Sequence, residues 1–152
     1  MAINRDFIGR TFPASEPYQI GRELIRNFAT AIKDDNPIYH DSEAARAAGY
    51  SDVVAPPTFL ITLGFRDRSY MADPTLNLDY AMVVHGEQQF VLHRPVVAGD
   101  EVRSQATITN IADAGRNEKM TIESKIVDAS GETIAVAINT LISRGTAAPK
   151  ED

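Results

Sequence analysis

Apolar residues in this chain recur with two different periods, and the change falls at Asp73-Pro74. Ahead of it they sit three and four apart, the spacing of one helix face; beyond it they alternate, the spacing of a half-buried strand. From Gly21 to Lys33, the residues Leu24, Ile25, Phe28, Ala31 and Ile32 mark a first helix, stopped by Asn36-Pro37 because proline disfavours helical geometry in the residue before it. Asp41-Ser42 caps a short second helix carrying Ala44, Ala45 and Ala48, and Gly49 is its natural stop. Pro56-Pro57 then opens a third, apolar stretch with Phe59, Leu60, Leu63 and Gly64, predicted as a helix to about Met71. It is the most hydrophobic of the three, which places it at the centre of the fold.

After Asp73-Pro74, the stretch from Ala81 to Val97 reads as two strand pieces around Gly86, and Gly99-Asp100 makes a turn. Val102, Ala106 and Ile108 alternate with Arg103, Gln105 and Thr107; Met120, Ile122 and Ile126 alternate with Thr121, Glu123 and Lys125. A last strand from Thr133 to Ile142 is apolar on both faces, which predicts cover on both sides. Helices followed by long antiparallel strands make an α+β domain. The expected unit spans residues 1–145, with 146–152 as a disordered polar tail. A sheet of this size leaves an open edge and an uncovered face, which pairing with a second sheet would hide.

The length of 152 residues suits one core. With no cysteine, a disulfide framework and thiolate chemistry are excluded, which fits a cytoplasmic setting. A net charge of -6 argues against nucleic acid as the main partner. No apolar run approaches bilayer-spanning length and the first residues carry no signal-peptide pattern, so no membrane role is expected. The three histidines have no ligand partners at metal-like spacing, and neither metal nor cofactor is expected.

Asp34-Asp35-Asn36-Pro37-Ile38-Tyr39-His40-Asp41, followed by Ala44-Ala45, Gly49-Tyr50 and Val53-Val54-Ala55, resembles the signature of the MaoC-like (R)-specific enoyl hydratases and (3R)-hydroxyacyl-ACP dehydratases. In that family the run reads Asp-x-Asn-Pro-(Ile/Leu)-His-x-Asp and leads to a His-Gly pair. Phe90 to Asp100 is similar to the family's Phe-x-x-Pro-Val-x-x-Gly-Asp segment. Phe7-Ile8-Gly9-Arg10 and Ala55-Pro56-Pro57-Thr58-Phe59 look most like HadA-type subunits, the FAS1-like dehydratase N-terminal domain. The resemblance implies a single hot-dog domain, an antiparallel sheet wrapped around a central hydrophobic helix. It further implies an acyl-CoA or acyl-ACP thioester substrate and a homo- or heterodimer of hot-dog chains.

Dehydration of a 3-hydroxyacyl thioester needs a base, an acid for the departing hydroxyl, and a donor for the enolate-like oxygen. The family assigns proton transfer to the signature Asp and His, and polarisation to a backbone N–H at the central helix. Laid on this chain, the Asp falls on Asp34 and the His on Tyr39, with His40 one place late. Adjacent residues of an extended segment point to opposite sides, so His40 is expected to face away from Asp34. The His-Gly pair is here Pro56-Pro57, and neither proline has an N–H, so a donor must come from Thr58 or later. The candidate catalytic residues are therefore Asp34, Tyr39 and His40. Candidate substrate-binding residues are Asn36, Pro56, Pro57, Thr58, Phe59, Leu63, His85 and Gly86.

Three functions stay open: the acyl-binding half of a dehydratase whose partner supplies the Asp/His pair, a self-sufficient homodimeric hydratase using Asp34 with His40 or Tyr39, and a non-catalytic acyl-thioester binding protein. A thioesterase is a weaker fourth, because its carboxylate on the central helix has no clear match beyond Asp67.

Overall fold

A computed structural model describes residues 1–64 and 69–147. In chain order the elements are β1 (Tyr18–Gln19), α1 (Arg22–Ala31), α2 (Ser42–Ala47), α3 (Ile61–Gly64), β2 (Val83–Leu92), β3 (Glu101–Ala114), β4 (Asn117–Asp128) and β5 (Thr133–Ser143). The strands form one antiparallel sheet in the order β1-β3-β4-β5-β2. It curls around the segment that follows Pro56-Pro57, giving a single α+β hot-dog domain.

The alternation read from the sequence sets the sheet's inner face. Val102, Ser104, Ala106 and Ile108 of β3 and Met120, Ile122 and Ile126 of β4 are buried, while Arg103, Gln105, Thr107, Thr121, Glu123 and Lys125 between them are more exposed. Cross-strand register aligns Ile108 with Ile122, Ile122 with Asn139, and Asn139 with Gln88, a row running the width of four strands. Gly86 sits at a register shift in β2, and the reason is close approach: a Cβ there would lie 3.0 Å from Ile142 Cγ1 and 3.2 Å from the Thr140 carbonyl oxygen.

Two apolar clusters share the concave side. One joins Ile25 and Ala29 of α1 to Phe59, Leu60, Val102, Ile126 and Ala135. The other holds Ile3, Phe7, Phe12, Tyr70, Leu76, Ile108, Met120 and Leu141. The first three belong to an N-terminal strap that the sequence pattern did not reveal, since single aromatic residues in a loop have no period. The strap is fastened by Ile3 N–H donating to the fully buried Glu118 carboxylate at 2.9 Å and by a bridge between Thr11 and Thr107.

Three expectations need correction. Among the described residues the α-helical part of the central segment is Ile61–Gly64, and the chain is in a 3-10 turn at Ser69–Ala72, so the expected α-helix does not run to Met71. From Pro57 to Leu60 the chain turns tightly, with bonds from Phe59 N to Pro56 O, Ile61 N to Thr58 O and Leu63 N to Leu60 O, all spanning three residues. Two prolines in succession supply no N–H to start an α-helical ladder, and Ser69–Ala72 is again a 3-10 turn. Phe59 (0% exposed), Leu60 (2%) and Leu63 (4%) are nevertheless buried as a central segment must be. Second, β5 is fully enclosed on both faces near its two ends, at Ile134-Ala135 and Thr140-Leu141, and is half-buried between them, at Val136 to Asn139. Third, residues 37–39 are a 3-10 turn, not extended chain, with consequences for His40 described below. Asp67 and residues 148–152 lie outside the described residues, while Gly145 and Ala147 are bonded to Asn117 and Arg116.

Candidate functional site

The segment following α1 is a succession of short-range caps. Asp34 Oδ1 accepts from Asn36 N–H (3.1 Å), Asn36 Oδ1 from Ile38 N–H (3.2 Å), and Asp41 Oδ1 from Glu43 N–H (2.9 Å). Each is an acidic or amide side chain bonding the backbone two residues on, the reason such residues favour turns. Pro37 fixes the first residue of the 3-10 turn, and Tyr39 is thereby swung inward, 9% exposed.

Because that turn is helical, His40 comes back over Asp34. Its Nε2 donates to the Asp34 carbonyl oxygen at 2.8 Å, and Arg26 Nε donates to the His40 carbonyl at 2.8 Å. The partner being a carbonyl, Nε2 carries a proton. Asp34 and His40 are thus neighbours, but through the main chain of one and the ring of the other.

Tyr39 opens into a pocket of about 290 Å³ whose walls include Tyr50, Pro56, Pro57, Leu60, His93 and Arg94. Burial, then the nearby Asp34 carboxylate and then Tyr50 push the Tyr39 phenol above its ordinary value, so it is a neutral donor at physiological pH. Arg94 is held by Asp100 (2.9 and 3.3 Å) and Asp128 (3.3 Å), and its own charged state is favoured first by the Asp100 hydrogen bond. Val97 N–H also donates to Asp100, at 3.0 Å, so the turn behind the pocket wall is tied to the same carboxylate. Pro56 and Pro57 bring no N–H to this wall and the Phe59 N–H is spent on the Pro56 carbonyl (2.9 Å), so the candidate polarising donors are the N–H groups of Thr58, exposed at the surface, and of Leu60, which lines the pocket.

The sequence-derived candidates fall into separate places. Tyr39, Pro56 and Pro57 line this pocket. Asp34, Asn36 and His40 form the turn next to it. Phe59 packs edge-on against Phe28 (5.5 Å between ring centres) in the core, and Leu63 borders a different hollow beside Pro13 and Pro17. His85 lines a second cavity of about 200 Å³ on the far side of α3 with Tyr70, Gln88 and Asn139, and Gly86 marks the bulge beside it. Sequence reasoning missed Tyr50, Arg94, Gln88 and Asn139. Arg94 had a signal, a basic residue six places before the Asp of a Gly-Asp turn; the two amides had none, since each is one polar residue on an otherwise unremarkable strand. Among the described residues no three His, Asp or Glu side chains converge as a metal site requires, and no helix is long and apolar enough to cross a membrane.

The description "FAS1-like, dehydratase domain region" matches residues 6–137. A UPF0336 protein of Parafrankia sp. (strain EAN1pec) is 50% identical over 151 residues, which is 99% of this chain and 100% of that protein. Among solved structures, the C-terminally truncated HadBC (3R-hydroxyacyl-ACP dehydratase) complex from Mycobacterium tuberculosis aligns with a TM-score of 0.81 at 29% identity, over 91% of this chain and 98% of that one. A MaoC-like dehydratase aligns with a TM-score of 0.83 at 31% identity, over 91% of this chain but 42% of its own.

Proposed function

This chain belongs to the family of FAS1-like dehydratase domains, and on that premise we propose that it is the acyl-binding half of a (3R)-hydroxyacyl-thioester dehydratase or enoyl hydratase acting on CoA- or ACP-linked chains in fatty-acid metabolism. One observation carries the reading: the residue that the family's histidine would occupy is Tyr39, a buried neutral phenol facing the pocket. A phenol whose pKa is pushed upward holds a thioester oxygen or hydroxyl by donation; it does not take a proton at neutral pH. The partner is a second hot-dog chain that brings an intact Asp/His pair. In support, β2 is the end strand of the sheet, and Val84, Val91 and Leu92 on it are exposed. The HadBC structure is likewise a complex.

The test is reconstitution. Co-expressed with a hot-dog chain from the same host that retains Asp-x-Asn-Pro-x-His, this chain should co-purify and the pair should hydrate crotonyl-CoA. Mass spectrometry of the native complex that finds no such partner removes the reading.

A second reading, the self-sufficient homodimer, is favoured by the approach of His40 to Asp34. It requires that the isolated chain turn over and that both Asp34→Asn and His40→Gln abolish the rate. Tight acyl-thioester binding with no turnover in either setting would instead mark a binding protein.

A further inference from the structure

Midway along the inner face of the sheet, the apolar lining gives way to three polar side chains on neighbouring strands. Register places Asn139 of β5 opposite Gln88 of β2, and Ser124 of β4 opposite Ala137, one step diagonal from Asn139. Asn139 and Gln88 border the cavity of about 200 Å³ behind α3; with Ser124 they also border a small inner extension of about 20 Å³. That extension borders Leu60, which is also a wall of the Tyr39 pocket, so the two hollows are separated by this one side chain of the buried segment. On the helix side the wall is lowered by Gly64, where an added Cβ would meet nothing within 4 Å.

Asn139 Oδ1 is buried and accepts no hydrogen bond from the described residues. An unanswered amide oxygen weakens a fold, whereas leucine, of about the same size, would not. Gln88 Nε2 is committed to the Ile138 and Gln89 carbonyls at 3.2 Å each, which leaves its own carbonyl oxygen as the group it can offer. With Asn139 turned about its terminal torsion, the cavity would hold two carbonyl acceptors, a set that complements a donor.

We propose that this chamber receives the far part of an acyl chain that carries a hydroxyl group, in preference to a plain saturated tail. The inference rests on the acyl-thioester reading above and adds the chemistry of the tail. The hydroxyl donates to Asn139 Oδ1, which a turn about the soft terminal torsion of Asn139 presents to the chamber. A site built to bond a hydroxyl discriminates strongly against the analogue that lacks it, because its polar groups are then left unmet.

Calorimetric titration of the full chain with octanoyl-CoA and 8-hydroxyoctanoyl-CoA, and with the dodecanoyl pair as a second length, tests the proposal. In at least one pair the hydroxylated ligand should bind about tenfold tighter, the order of one hydrogen bond. Asn139→Leu should reverse the preference, and Gln88→Leu should reduce it; the second variant carries the comparison if the first fails to fold. Equal or tighter binding of both saturated chains, or a preference unchanged in the folded variants, overturns the proposal and leaves the acyl-thioester reading standing. No binding of any of the four overturns both.

Discussion

The turn at residues 34–41 and the chamber behind α3 treat polar groups in opposite ways. At the turn, Asp34, Asn36 and Asp41 each bond a backbone N–H two residues on, and the nearby Arg94 is met by Asp100 and Asp128. In the chamber, a buried amide oxygen has no partner among the described residues. The contrast separates architecture from unspent chemistry. The acidic side chains of the motif that most suggests catalysis are occupied in shaping a turn, whereas the unmet amide oxygen of Asn139 lies on a strand that carries no motif.

Five changes would break or sharpen that contrast. The largest effect is expected at Phe59, which shares the core cluster of Tyr39. Phe59→Ala should cost about 3–5 kcal/mol in a urea titration, because a fully buried ring packed edge-on against Phe28 leaves a cavity the surroundings fill only in part. A loss under about 1 kcal/mol would mean that the segment is not central. Gly86→Val should cost about 1–3 kcal/mol by the same assay, since its first side-chain atom meets Ile142 and the Thr140 carbonyl oxygen at the bulge.

Below these stands a pH effect. Asp52, bonded to Arg22 at 2.7 and 2.8 Å, has its carboxyl lowered to about 2, chiefly by those bonds. A carboxyl depressed in the folded state contributes stability that is complete above its ordinary value near 4 and is lost as pH falls towards 2. The urea midpoint should therefore drop over that window, and Asp52→Asn should make the drop smaller. Asn36→Ala should cost about 1 kcal/mol through loss of its cap on Ile38 N–H, with the Tyr39 pocket loosened but present. The smallest effect distinguishes the two regions most sharply: Asn139→Leu should be neutral or raise the melting temperature by a few degrees, because it removes an unmet acceptor.

The second half of the fold was legible because period-two alternation states which side of a strand faces inward; β3 follows it from Val102 to Ile108 and β4 from Met120 to Ile126. The stripe read for α1 holds at Leu24, Ile25 and Phe28 but not at Ala31 and Ile32, which are exposed, and it missed the buried Ala29. The central segment was legible as buried but not in its three-residue hydrogen bonds after Pro56, since hydrophobicity reports burial while two adjacent prolines decide the hydrogen-bond pattern. At the site, Tyr39 could be placed by its position in a known motif. His40 could not, because an extended and a 3-10 geometry for three residues send its ring in opposite directions. Asn139 and Gln88 escaped notice because their proximity is a matter of register between strands some fifty residues apart in sequence.

The account turns on whether this chain owns a working proton-transfer pair. Hydration of crotonyl-CoA by the purified chain alone, followed at neutral pH as the conjugated thioester is consumed, addresses that directly. With Tyr39 neutral and the Asp34 carboxylate engaged in its turn, the rate should not exceed the uncatalysed background. Turnover above background that Asp34→Asn abolishes would contradict the account and give the chain a complete active site of its own.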